Sequence, residues 1–389
     1  MPIALEYYYF MKIALISQNA SPGLLIFRSD FIKFLLEQGH EVYAFAIDYT
    51  DATIAAVEAL GAVPISYTLN KTGMSPFTDL RDTLRLSHQL KVIGPDVVFS
   101  FFVKPSIYGT LAARLAKVPR RIAMLEGLGY IHTPTEEGFS FRKRVLQTIH
   151  GLLCTVGYYF ADKVLFLNSD DPVDLSKKSL INKSKLHVLG PIGLDLDLYP
   201  FTLANISKPI RFIFIARLLA EKGIFEYLAA ARLVKQKYPN AEFVVLGGLD
   251  PDNPAALTKE QLDTVIKEDI IIYPGYVTDV PKWIAESHVF VLPSYYREGV
   301  PRSTQEAMAI GRPVITTDVP GCRETVVDGV NGYLVDPFNA DCLAIKMLLF
   351  IETPDLILEM GGESYKIAKS NFDVHKVNQD MADIVLGAE

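Results

Sequence analysis

Two glutamates stand eight positions apart in "YREGVPRSTQEAM", residues 296–308, with a glycine, a proline and a serine-threonine pair between them. The apolar run "HVFVLPS" precedes the segment and "AIGRPVITTD" follows it. That order puts Glu298 at the exit of a buried strand and Glu306 two turns into the next helix. Pro301 suits a first helical turn, where its missing N–H would have no partner anyway. A helix N-terminus offers free N–H groups and about half a positive charge, a natural cradle for a diphosphate. Glu306 would then accept hydrogen bonds from vicinal sugar hydroxyls, and Glu298 would reach another group of the same ligand. A structural role stays equally open: Glu298 capping the helix and Glu306 pairing with Arg302, four residues earlier. A second stretch, "FIARLLAEKGIFEYLAA", adds cations. Arg217 follows an apolar run directly, and Lys222 opens a helical pattern with Gly223 behind it. A fixed guanidinium and an ammonium suit a departing diphosphate without a metal.

The elements that must hold these residues read as follows. Short apolar runs alternate with helical patterns: "KIALIS", "EVYAFAI", "DVVFSF", "RIAML" and "KVLFL", then "RFIFIARL", "EFVVLGG", "DIIIYPG", "VFVLPS", "PVITTD" and "NGYLVDP". Apolar strands of this length separated by helices are the mark of a parallel sheet covered on both faces. The alternation breaks once, at the Gly-, Pro- and Asp-rich "VLGPIGLDLDLYPFTLANISKPI". The chain of 389 residues is too long for one core. The fold class is therefore α/β: two Rossmann-like doubly wound parallel-sheet domains facing across a cleft. The boundaries expected are an N-terminal domain at 1–190 (with 1–10 an extension), a linker at 191–209, a C-terminal domain at 210–370 and a C-terminal helix at 371–389 returning to the first domain. Ligands of such sheets bind beyond the C-terminal strand ends, where Gly23, Glu126, Arg217 and Glu298 stand.

A net charge of −7 argues against a nucleic-acid partner. The charge is uneven: residues 1–190 hold 20 Lys/Arg against 17 Asp/Glu, or +3, and residues 191–389 hold 18 against 28, or −10. Three cysteines without ligand spacing suggest neither a disulfide framework nor a zinc site, and fit a reducing cytoplasm. "MPIALEYYYF" lacks the basic start of a signal peptide. The uncharged run from Val145 to Phe160 is shorter than the roughly 20 apolar residues of a spanning helix. Val145, Ile149, Leu152, Leu153, Val156 and Phe160 recur at helical spacing behind Arg142, Lys143 and Arg144. That pattern fits a helix lying on an anionic membrane surface, or an apolar stripe packed on the sheet.

"ARLLAEKG", "GGLDP", "YPGYVTDV" and "REGVPRSTQEAMAIGRPVITTDVPGCRETVVDGVNGYLV" resemble the retaining GT-B glycosyltransferases of family 4. The branch is that of capsule and O-antigen enzymes, similar to the undecaprenyl-diphosphate-sugar α-1,3-N-acetylgalactosaminyltransferases. The resemblance implies that Arg217 and Lys222 hold a donor diphosphate, that Glu298 with Gly299 and Val300 contacts the transferred sugar, and that Glu306 binds a ribose. It also implies that Tyr276, Val277 and the residues up to Asp279 cover the base. In "SQNASPGLLIFRSDF", Gly23 stands where many members have a glycine pair, for close approach to the donor phosphates. In "AMLEGLGYIHTP", Glu126 fills the place where many members carry a histidine, and His132 follows six residues later. Glu126 would orient or deprotonate an acceptor hydroxyl; His132 is either a partner in that role or an ordinary loop residue.

The expectation is a retaining transferase moving an N-acetylhexosamine from a UDP-sugar donor to a lipid-linked sugar acceptor. It would work in the cytoplasm, on the inner face of the bacterial cytoplasmic membrane. No cofactor is expected. Asp195 and Asp197 invite a metal, but Arg217 and Lys222 would make one unnecessary. The alternatives are a GT-B nucleotide-sugar 2-epimerase and a non-catalytic subunit that binds a nucleotide-sugar or glycan.

Overall fold

The computed structural model describes residues 10–70, 75–251, 253–275 and 277–387. They divide into two compact units, the first made of the described residues of 10–128, 141–192 and 375–387, the second of those of 129–140 and 193–374.

The first unit is built on seven parallel strands: β1 (Lys12–Ile16), β2 (Glu41–Ala46), β3 (Val63–Ser66), β4 (Val97–Phe101), β5 (Arg120–Leu125), β6 (Lys163–Phe166) and β7 (Leu186–Val188). Their spatial order is β3-β2-β1-β4-β5-β6-β7. Central β4 is buried at all five positions, as a strand covered on both faces must be. The helices are α1 (Ser29–Glu37), α2 (Asp51–Ala59), α3 (Pro76–Ile93), α4 (Val103–Leu115), α5 (Phe141–Tyr159) and α6 (Asp170–Ser176). Helix α4 packs between α3 and α5. Small residues let it sit close: a Cβ on Gly109 would come within 2.5 Å of Ser100 Oγ, and one on Gly157 of α5 within 2.9 Å of Ile107. The last residues rejoin this unit, where Arg120 donates to the carbonyls of Val385 (2.8 Å) and Ile384 (2.7 Å).

The second unit carries five parallel strands: β8 (Arg211–Ile215), β9 (Glu242–Leu246), β10 (Val289–Leu292), β11 (Val314–Thr317) and β12 (Gly332–Val335), in the order β12-β11-β10-β8-β9. Its helices are α7 (Ile224–Lys237), α8 (Lys259–Lys267), α9 (Val280–Ala285), α10 (Arg302–Ala309), α11 (Ala340–Glu352) and α12 (Asp355–Asn371), and α13 (Val374–Ala382) follows. One core cluster unites the strands with α7, α10, α11 and α12.

Several expectations are corrected. "VPIS" and "LHV" form the edge strands β3 and β7; both are too short and too exposed to show as apolar runs. "DIIIYPG" forms no strand but a single bridge, Ile272 to Val244. Residues 129–140 leave the first unit, because Gly129 N donates to Arg297 O at 3.0 Å and Arg297 N to Thr133 Oγ1 at 3.0 Å. Most of the expected linker belongs to the second unit and is anchored there: Leu194 is fully buried, and Arg312, fully buried, donates to Thr202 O (2.9 Å), Ile284 O (3.1 Å) and Ala285 O (2.9 Å). Burial depresses the Arg312 pKa to about 10. Arg312→Leu strands these carbonyls, each costing about 1–3 kcal/mol when unsatisfied. A loss of about 3–5 kcal/mol is expected in denaturant unfolding of the second unit, and a loss under 1 kcal/mol would refute it.

Candidate functional site

Strand β8 delivers Arg217 two residues past its end. Arg217 is 57% exposed at its side chain, with Nη1 3.5 Å from Asp250 Oδ2. A 3₁₀ turn, Ala220–Lys222, then leads into α7 through Gly223, whose φ is +79°. A Cβ there would meet Pro293 O at 2.2 Å, so only glycine lets this turn lie against the exit of β10. The contact is completed by the amides of Tyr295 and Tyr296, which both donate to Glu221 O at 3.0 Å. The outcome is an ion pair between Lys222 Nζ and Glu298 Oε2 at 2.7 Å, with side chains 13% and 15% exposed. Ser294 Oγ donates to the other carboxylate oxygen of Glu298 at 2.8 Å. Lys222 also lies 5.1 Å from the centre of the Tyr296 ring. On the far side, Gly321 (φ +85°) packs so close that a Cβ would be 2.4 Å from Gly299 O.

Glu298 therefore does not cap α10. Pro301 is the residue before that helix rather than its first, and no side chain caps it. Glu306 sits in the second turn, where its Oε1 accepts from Arg302 Nε at 3.2 Å and from Tyr199 OH at 3.0 Å. The structural alternative thus holds for the Arg302 pair. Burial raises the Glu306 pKa, with Arg302 and Tyr199 opposing, and raises that of Tyr199 to about 12. The buried atoms Thr304 Oγ1 and Gln305 Oε1 on the same helix make no hydrogen bond. Strand exit, cationic turn and uncapped helix N-terminus thus meet in one unit, an arrangement whose cations and helix N–H groups suit an anionic, phosphorylated ligand.

Comparison with known proteins bears on what that ligand is. The glycosyl transferase 4-like family matches residues 12–168, and the glycosyl transferases group 1 family matches residues 197–367. Both halves of the chain are glycosyltransferase domains, joined in the GT-B fold. The chain is 29% identical over 363 residues to the N,N'-diacetylbacillosaminyl-diphospho-undecaprenol α-1,3-N-acetylgalactosaminyltransferase of Campylobacter jejuni, covering 90% of this chain and 92% of that one. It is 25% identical to the UDP-Gal:α-D-GlcNAc-diphosphoundecaprenol α-1,3-galactosyltransferase of Escherichia coli, over 75% of each. Among solved structures, HepE from Anabaena in complex with UDP superposes with a TM-score of 0.78, at 20% identity, over 97% of this chain and 100% of that one.

The glycosyltransferase places its other expected site residues unevenly. Gly23 is buried, and its amide donates to Asn19 Oδ1 at 3.0 Å; a Cβ would strike Ser17 Oγ at 2.3 Å, so the missing side chain serves the loop's own packing. Val277 is half-buried against the core of the second unit, Val300 is buried, and Tyr276 lies outside the described residues. Asp195 spends its carboxylate on the turn at 196–198, accepting from Asp197 N at 3.0 Å. His132 is buried in the segment tied to Arg297, next to Glu298 in sequence.

Glu126 is held in an ion pair by Arg28, which is completely buried and also lies 4.8 Å from the centre of the Phe101 ring. Burial raises the Glu126 pKa and Arg28 opposes it. A proton-accepting role thus competes with that pair. Of the basic cluster, Lys143 is buried and only Arg142 and Arg144 are exposed, while most of the apolar stripe of α5 faces away from the sheet: Leu152 is 61% exposed and Val156 55%, and Leu153 of the stripe joins the core beneath.

Sequence reasoning overlooked Arg28, Ser294, Tyr199 and Asp250. Ser294, at a strand exit, carried a readable signal. The other three lie 33 to 107 residues from their partners: Arg217 and Asp250 are 33 residues apart, Arg28 and Glu126 98, Tyr199 and Glu306 107.

Proposed function

We propose that this glycosyltransferase is a retaining enzyme that moves an N-acetylhexosamine from a UDP-sugar to a polyprenyl-diphosphate-linked saccharide, in the making of a surface polysaccharide. The observation that carries the reading is the Lys222–Glu298–Ser294 constellation between two strand exits of the group 1 domain. It stands in a chain 29% identical, over 90% of its length, to a relative named for an undecaprenol-linked substrate. Arg217 and Lys222 take the departing diphosphate. Charge develops on its β-phosphate as the anomeric bond breaks, so preorganised cations and the N–H groups of α10 stabilise the transition state most. Glu298, oriented by Lys222 and Ser294, accepts from a hydroxyl of the sugar in transit. Glu306 accepts from the ribose, with Val277 beside the base. In the first unit Glu126 serves the acceptor, and Gly23 lets the loop after β1 pack tightly. The cations make a metal unnecessary. The enzyme works at the inner face of the cytoplasmic membrane, where its acceptor is anchored.

The test is a panel of radiolabelled UDP-sugars incubated with enzyme and membrane extract, with and without EDTA, followed by organic extraction. Label from a UDP-N-acetylhexosamine entering the lipid phase, equally with EDTA, is the expected result. Label that stays in water for every donor overturns the acceptor, and a dependence on divalent cation overturns metal independence.

A further inference from the structure

Helix α5 is turned inside out for a helix in water. Its buried positions are Lys143, Gln147, His150, Gly151, Cys154, Gly157 and Tyr158, and polar contacts hold them there: Tyr158 OH meets Ser106 Oγ at 2.7 Å, and His150 Nε2 meets Cys154 Sγ at 3.3 Å. Its outer stripe is Val145, Ile149, Leu152, Val156 and Tyr159, each 38% to 74% exposed. Helix α3, two helices away in the same layer, repeats the theme. Phe77 (89% exposed), Leu80 and Leu84 face outward beside Arg81 and Arg85, whose side chains are 62% and 59% exposed. An open groove of about 590 Å³ runs along this side of α3, lined by Ser66, Thr68, Arg81, Leu84 and Arg85 among others.

The layer is net positive. Helices α3, α4 and α5 carry eight Lys/Arg against two acids, both buried: Asp79 pairs with Lys104 at 2.9 Å, and Asp82 lies 3.8 Å from both Arg81 and Arg85, whose side chains stay exposed. The chain as a whole is at −7. Large apolar side chains set among Arg and Lys, with no exposed acid, are what an anionic lipid surface selects: the apolar groups enter the headgroup boundary and the cations meet phosphate. A second copy of the chain fits less well, because a two-fold contact would set this positive face against itself. Among the described residues no helix is long and apolar enough to cross a membrane, so contact would be from the side.

We infer that the outer face of the α3–α4–α5 layer, through Phe77, Leu84, Arg81, Arg85 and the α5 stripe with Arg142 and Arg144, seats the first unit on an anionic bilayer. The inference rests on the lipid-linked acceptor proposed above and widens the expected contact from one basic cluster to a whole helical layer.

Co-sedimentation with phosphatidylglycerol and phosphatidylcholine vesicles tests it, with UDP affinity measured on the same preparations. The parent should bind phosphatidylglycerol vesicles, lose binding as salt rises, and ignore phosphatidylcholine. A variant with Arg81, Arg85, Arg142 and Arg144 all changed to Gln should bind about 100-fold more weakly. Ile149→Ser, Leu152→Ser and Val156→Ser together should weaken binding at least about tenfold, and since these side chains are already in solvent the fold survives. Parent protein that ignores anionic vesicles while binding UDP overturns this inference alone, and failure to bind UDP while vesicles bind overturns the donor reading alone. Vesicle binding unchanged in either variant overturns the inference, including the case in which the Ser variant turns a dimeric parent monomeric. If a variant unfolds by circular dichroism, Leu152→Ser alone and Arg142→Gln/Arg144→Gln decide the matter by the same comparison.

Discussion

Lys222→Ala and Arg217→Ala each lower the transfer rate by about 30- to 1000-fold. The size follows from what is removed: a charge-assisted contact that strengthens as the β-phosphate departs, worth about 2–4 kcal/mol of barrier. The two variants should differ in their side effects. Arg217 is largely exposed and its ion pair with Asp250 is long, at 3.5 Å, so its loss leaves the surrounding structure in place. Lys222 is 13% exposed and pairs with Glu298 at 2.7 Å, so its removal also strands a mostly buried carboxylate. Lys222→Ala therefore lowers thermal stability as well as rate, whereas Arg217→Ala changes rate alone. Steady-state kinetics with a melting curve for each protein check this. Near-normal turnover in both variants, with folding intact, would sink the assignment of the diphosphate site.

Glu298→Gln lowers kcat by about 10- to 100-fold, the worth of a hydrogen bond to a charged group made with the sugar in transit. Glu306→Gln instead raises the donor KM, by about tenfold, with a smaller effect on kcat, because the ribose is bound alike before and during transfer. The geometry adds a condition. Both carboxylate oxygens of Glu298 are already engaged, by Lys222 and by Ser294, so Glu298 and Lys222 act as one unit. The double variant Lys222→Ala/Glu298→Gln should accordingly be no slower than the worse single variant within about threefold, since residues in contact are not additive. Equal kinetic phenotypes for the two glutamine variants, or strict additivity in the cycle, would show that the roles are divided wrongly.

The sequence by itself determined the class of the fold and marked the strand exits that carry the candidate site. Fully apolar strands such as "VVFSF" and "VFVL" leave no face for water, so they could only form covered parallel sheets. Because such sheets present ligands at their C-terminal edges, Arg217, Lys222 and Glu298 were marked by position as well as by type. Gly223 belongs here too, though only the backbone at φ +79° and the nearness of Pro293 O explain it. Tertiary structure decided what local pattern does not carry. Edge strands β3 and β7 are short and half-solvated, so no hydrophobic run announces them. Residues 129–140 read as part of the first domain until the amide of Gly129 and the hydroxyl of Thr133 found the backbone of Arg297. Helical spacing in α5 revealed a stripe but not its direction. That was settled by the opposite face, where Gly151 and Gly157 admit Lys178 and Ile107 at distances no side chain would allow. Periodicity is symmetric between inside and outside; only the close approach of neighbouring backbone breaks that symmetry, and here it turned the apolar residues toward solvent.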